Sequence, residues 1–114
     1  MSTDFEDFRM GHLVRTAEVW KQLTELGATE ESKLDLDFSF NTKSKSSIEA
    51  LKSELADYPL SVSREGFLKK TFTISGSSGP ILWSEEQLLK WVDYLIRVGA
   101  DAGCDFEGCG ASAP

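Results

Sequence analysis

Hydrophobic positions in this chain fall into short periodic runs separated by polar turns. Between Thr3 and Leu26, Met10, Leu13, Ala17 and Trp20 recur at three- and four-residue spacings. Val19, Leu23 and Leu26 form a second stripe beside them, so the segment predicts a helix. Thr3 and Glu6 have capping-box spacing, and Gly27 is a natural C-terminal stop. Phe5 and Phe8 lie ahead of the stripes and are expected to cover another surface, while Ala28 to Lys33 reads as a polar linker. Leu34-Asp35-Leu36-Asp37-Phe38-Ser39-Phe40 then alternates without a break. Successive side chains of a strand point to opposite faces, so Leu34, Leu36, Phe38 and Phe40 line one side and Asp35, Asp37 and Ser39 the other. The sheet should therefore have one covered face and one polar face.

Asn41 to Ser47 is a polar turn. Ser46 and Glu49 form a second capping pair, opening a helix with Ile48, Leu51 and Leu55 on one stripe. Pro59 ends the helical possibility, and Leu60-Ser61-Val62 starts a short strand. After the turn signal Glu65-Gly66, Phe67 to Ser75 reads as a strand forming a hairpin with it. Gly76-Ser77-Ser78-Gly79-Pro80 has the composition of a flexible loop and lacks the Lys and spacing of a phosphate-binding loop. Ser84 and Gln87 open the most amphipathic helix, with Leu88, Trp91, Val92, Leu95 and Ile96, bracketed by Gly99 and Gly103. Cys104-Asp105-Phe106-Glu107 alternates again as a last strand, and Gly108 and Gly110 mark a bulge or close backbone approach.

The resulting order, a helix followed by β-α-β-β-α-β, is the split βαβ or ferredoxin-like arrangement of the α+β class. Two helices should cover one face of a four-stranded antiparallel sheet, preceded by the extra helix. One domain spans 1–114, with residues 3–27 as that helix and 34–112 as the core. A length of 114 residues suits one hydrophobic core, and 40% apolar and 27% charged residues are ordinary globular values.

Twelve Lys and Arg against nineteen Asp and Glu give a net charge of −7, which repels phosphate backbones and suits a basic protein partner. The acidic N-terminus lacks the basic and apolar regions of a secretory signal, and no apolar run approaches the ~20 residues of a membrane span. A cytoplasmic location and no membrane association are the expectation.

Candidate chemistry is sparse. Cys104 and Cys109 on one extended strand would stand about 16 Å apart, beyond disulfide reach. A structural zinc site needs about four ligands, and His12 is the one histidine, far away in a helix. The same scarcity leaves a nucleophilic Cys or Ser without a positioned base. Asp35 and Asp37 share one side of a strand, where like charges can raise a pKa, but such pairs are ordinarily solvated and nothing nearby completes a site. No enzyme activity, cofactor or metal is expected.

Trp83-Ser84-Glu85-Glu86-Gln87-Leu88, Trp91-Val92-Asp93-Tyr94 and Cys104-Asp105-Phe106-Glu107-Gly108-Cys109-Gly110-Ala111 together resemble the RraB family, regulators of ribonuclease E activity. Leu23-Thr24-Glu25-Leu26-Gly27 compares with the end of that family's N-terminal helix. Phe106, Glu107, Gly108 and Gly110 match its closing acidic-Gly-Trp-Gly strand, and Cys109 stands where the family usually has Trp. The resemblance implies a ferredoxin-like fold and a non-catalytic protein that binds and restrains a ribonuclease.

On that reading Asp35, Asp37, Asp105 and Glu107 are the candidate acidic interface toward a basic segment. Trp20 is a candidate contact, since Trp is enriched at interface hot spots. Trp91 is expected in the core and Trp83 as a staple against Leu88. The N-terminal helix must bury its stripe on the domain, a partner or a second copy, which raises a homodimer. The alternative is a single-stranded RNA-binding module using the open sheet face. Glu65-Gly66-Phe67-Leu68-Lys69-Lys70-Thr71-Phe72 faintly echoes the pattern by which such sheets stack bases on strand aromatics. The net charge and the need for Phe38, Phe40 and Phe72 in the core argue against direct nucleic-acid binding.

Overall fold

The computed structural model describes residues 3–29, 31–65 and 71–111. The elements are α1 (Thr3–Glu25), β1 (Lys33–Thr42), α2 (Lys45–Glu54), β2 (Ser61–Glu65), β3 (Thr71–Leu82), α3 (Glu85–Ala102) and β4 (Asp105–Ala111). This is an α+β arrangement of three helices and one open four-stranded sheet. The strand order is β2-β3-β1-β4, and each neighbouring pair is antiparallel. Alternation along β1 explains why it is central. Leu36, Phe38 and Phe40 are buried on one side, and Asp35 and Asp37 are exposed on the other.

The apolar face of the sheet, with Ile74 of β3 and Phe106 of β4, packs against Ile48 and Leu51 of α2 and Leu88, Val92, Leu95 and Ile96 of α3. Burying each such side chain contributes roughly 1.5–3 kcal/mol, enough to fix which face of every element turns inward. Ser84 caps α3 as its spacing predicts, its side chain accepting the Gln87 N–H at 3.1 Å. The cap of α2 differs from the expectation. Ser44, not Ser46, accepts the Ser47 N–H, so the helix starts at Lys45, and Ser46 only hydrogen-bonds the Ser44 hydroxyl. Because α1 begins at Thr3, that residue is inside the helix and not its cap, and Glu6 pairs instead with Arg9 at 3.6 Å.

Residues 76–80 are not a loop. They continue β3, with Gly76 opposite Phe38, Ser77 opposite Asp37 and Pro80 opposite Asp35, and the register slips between Asp35 and Asp37. Hydrogen bonds fix the slip: the Leu36 N–H donates to the Ser78 hydroxyl at 3.0 Å, and the Gly79 N–H donates to the Asp35 carboxylate at 3.2 Å. Gly79 has φ of 75°, a conformation that needs no Cβ. Composition read these small residues as flexible, whereas here they are what lets the strand bulge and continue. Of the turn predicted at Glu65-Gly66, Glu65 ends β2 and Gly66 lies outside the described residues; of the strand predicted from Phe67 to Ser75, residues 71–75 are strand and 67–70 lie outside the described residues.

The first helix docks on the domain itself, along α3 and β4. Its inward stripe keeps Leu13, Trp20 and Leu23 of the predicted ones but not Met10 or Leu26. Phe5, Leu13, Trp20 and Leu23 pack against the core and His12 and Thr16 are buried, while Met10, Val14 and Leu26 are exposed. Polar groups satisfied within this interface shift the stripe. The Thr16 hydroxyl donates to the His12 carbonyl at 2.7 Å, and Arg9 pairs with Asp93 of α3. The His12 ring sits edge-on between Phe8 and Phe106, with centroids 4.6 and 5.1 Å away. Trp83 is also more than a staple: it is buried, its indole N–H donates to the Leu34 carbonyl, and its ring lies 4.9 Å from that of the half-buried Trp91.

Candidate functional site

The face of the sheet turned away from α2 and α3 holds a shallow groove of about 750 Å3. Strand register dictates what lines it. One row crosses all four strands as Ser61, Ser75, Ser39 and Gly108, and the next runs Ser63, Thr73, Asn41 and Asp105. Ser77, Asp37 and Gly110 form a third row from β3, β1 and β4. The floor is thus built of small hydroxyl residues and glycine. Among the described residues the hydroxyls of Ser39, Ser61, Ser75 and Ser77 hold no intramolecular hydrogen bond, unlike Ser78, which supports the bulge.

Asp35, Asp37 and Asp105 stand on this face, all exposed. Glu107 is exposed at a second bulge. Phe40 pairs with Phe106 and Ser39 with Gly108, which leaves Glu107 without a cross-strand counterpart and exposed. An extra residue of this kind bends the strand and re-aims side chains. The predicted acids share the β1–β4 pair but are spread along it: Asp105 lies opposite Asn41, six residues and about 20 Å from Asp35, which accepts the Gly79 N–H. They belong to β1 and β4, and among the residues whose side chains are described the β2–β3 half of the face carries Ser61, Ser63, Thr71, Thr73, Ser75 and Ser77.

The motif residues divide between inside and outside. Phe106 is buried against Phe40 at 5.5 Å and is a core residue, whereas Gly108 and Gly110 lie in the groove beside Ser39 and Asp37. Trp20 does not join the acids: it is half-buried against the core through α1. The serine rows escaped the sequence reading. Their signal was the period-two recurrence of Ser61 and Ser63, and of Thr73, Ser75 and Ser77, which only register turns into a surface.

The cysteines are free and lie on other terms. Burial pushes the Cys104 thiol up, and pushes that of Cys109 up to about 11 against a smaller opposing hydrogen bond from Thr16. Burial, with help from Arg15, pushes the His12 pKa down. Among the described residues no three His, Cys, Asp or Glu side chains are placed to hold a metal ion.

Base stacking needs aromatic rings on the open face, and among the described residues none is there. Phe38 and Phe40 are buried, and Phe72 shares the face of Ile74, with the Arg64 guanidinium 5.9 Å over its ring. Lys69 and Lys70 lie outside the described residues. Among the described residues no helix is long and apolar enough to cross a membrane. No protein-family model matches the chain, and no curated protein is significantly similar to it in sequence.

Proposed function

We propose that this chain is a non-catalytic regulator on a ferredoxin-like frame, resembling the RraB family, that acts in the cytoplasm by binding a basic segment of a protein of RNA metabolism such as ribonuclease E. The observation that carries the reading is that Asp35, Asp37 and Asp105 stand exposed on the uncovered side of the sheet along the β1–β4 pair, with Glu107 exposed at the β4 bulge. Restraint of a nuclease requires only occupancy of a segment that otherwise holds RNA or a scaffold partner. Carboxylates arrayed on a rigid sheet would set the on-rate and orientation of such a complex.

Calorimetric titration of ribonuclease E with the folded chain tests this at about 0.05 M and about 0.3 M salt, because exposed pairs are screened within roughly 10 Å at 0.1 M. Binding is expected at low salt and should weaken at high salt. Exposed ion pairs contribute about 0.5 kcal/mol each, so Asp37→Asn with Asp105→Asn should weaken binding roughly fivefold and flatten the salt dependence. Absence of binding at low salt, with the chain folded, overturns the proposal.

A further inference from the structure

Resting on that reading, the structure assigns the form of the partner segment: an extended, arginine- or lysine-bearing peptide laid across the strands, its backbone on the serine row and its basic side chains over the β1–β4 half. The argument begins with what the floor can and cannot bind. Ser61, Ser75 and Ser39 with Gly108 make a continuous row of short side chains across all four strands. Each hydroxyl both donates and accepts, and those of Ser39, Ser61, Ser75 and Ser77 are unused by the protein among the described residues. A helix cannot use them through its backbone, because its N–H and C=O groups are already paired internally. An extended segment has every backbone group free to pair.

Side-chain chemistry excludes the other occupants. The floor offers no apolar stripe for an amphipathic helix. A nucleic acid would meet carboxylates with its phosphates and no ring for its bases. A second copy of this chain placed face to face would set carboxylates against carboxylates. A basic segment fits, and the asymmetry of the face orients it. Asp37 of β1 lines the groove on one side and Ser61 of β2 on the other, and Asp105 of β4 stands on the same face opposite Asn41, two residues along β1 from Ser39. Four strands at about 4.8 Å spacing make a seat of roughly 15–20 Å, the length of five or six extended residues. Arginine is the better partner, since its planar fork pairs two oxygens of a carboxylate at once.

The test titrates the full 15N-labelled chain with three probes: the extended peptide Gly-Arg-Gly-Arg-Ser-Gly-Arg-Gly, an alanine-rich helical peptide of equal charge, and a single-stranded oligouridine. The expected result is amide shifts at Ser39, Ser61, Ser75 and Gly108 with the extended peptide only. Ser75→Trp, which fills the floor from an outward position, should weaken that binding at least tenfold at any salt. Ser61→Trp at the sheet edge is the second variant, and circular dichroism verifies the fold of both. Equal binding of the helical peptide at these residues, stronger binding of oligouridine, shifts confined to the acids of α1, or indifference to both tryptophans overturns the inference. If ribonuclease E still binds in an Asp37- and Asp105-dependent way while both tryptophans are tolerated, the seat is wrong and the regulator reading stands. If ribonuclease E fails to bind while the peptide seats as described, the partner is wrong and the seat stands.

Discussion

Gly11 and Gly99 both lie inside helices, and intrinsic propensity makes the same forecast for each: replacement by Ala should stabilise by about 0.5–1 kcal/mol. Their surroundings make opposite forecasts. A Cβ at Gly11 meets nothing within 4 Å, so Gly11→Ala should realise the gain. A Cβ at Gly99 would lie 2.7 Å from the Phe40 ring and 2.8 Å from the Cys104 carbonyl oxygen. Phe40 is fully buried in the central strand, and the Cys104 backbone is fixed by its own N–H donating to the Gly99 carbonyl at 2.8 Å. Neither neighbour yields without moving α3 away from β4, and overpacking of this kind costs about 1–3 kcal/mol. Set against a propensity gain below 1 kcal/mol, the clash wins, and Gly99→Ala should be destabilised by about 1–2 kcal/mol. Urea unfolding followed by tryptophan fluorescence measures both variants, with the slope checked for constancy. Changes of the same sign at the two positions, or stabilisation by Gly99→Ala, would refute the packing described between α3, β1 and β4.

Two further outcomes concern α1. His12 has a lowered pKa, so the unfolded chain takes up its proton first; stability is complete above about pH 6.5 and is lost as pH falls below it. As the one histidine in the chain, it makes the slope between pH 7.5 and 5.5 assignable, and a His12→Phe variant should lack it; a wild-type unfolding midpoint constant over that range refutes the buried placement. Cys109, with its thiol pushed up to about 11, should react slowly with iodoacetamide at pH 8 and faster in urea, since only roughly one thiol in a thousand is ionised there. Rapid labelling of the folded chain would show that α1 does not cover it.

Regular alternation is what made part of this structure legible. Along β1 each inward residue is large and apolar and each outward one is polar, so period alone placed Phe38 and Asp37 on opposite faces. The same reading succeeded for α3, where Leu88, Val92, Leu95 and Ile96 leave no competing stripe. For α1 it placed Leu13, Trp20 and Leu23 inward but misplaced Met10 and Leu26, because that interface is held partly by polar groups. A hydropathy stripe ranks Met10 above His12, but His12 fits between two rings and Thr16 satisfies a carbonyl, while Arg9 has Asp93 to meet. It failed at residues 76–80 because glycine and serine carry no periodic signal; their placement depends on Leu36 and Asp35, more than forty positions away in sequence. The acids of the candidate site were legible one strand at a time. That Asp105 shares a face with Asp35 and Asp37 was not, because it depends on β4 pairing with β1 across a bulge.

On the proposed RraB resemblance, the position where this chain departs from the family motif is Cys109, which lies between the first helix and the open groove. Cys109 pairs with Phe38, whose side chain points into the core, and its thiol is within hydrogen-bonding reach of Thr16 on α1. Partly buried, Cys109 lies toward the first helix and also lines the groove beside Asp37. A Trp in that place would need far more room than a thiol and would push α1 outward from β4, since interiors tolerate even single added methylenes poorly. A small residue at 109 and a close-docked α1 thus belong together. Gly108 and Gly110, which also shape the open face, keep the motif's identity. The substitution is accordingly coupled to how the N-terminal helix sits.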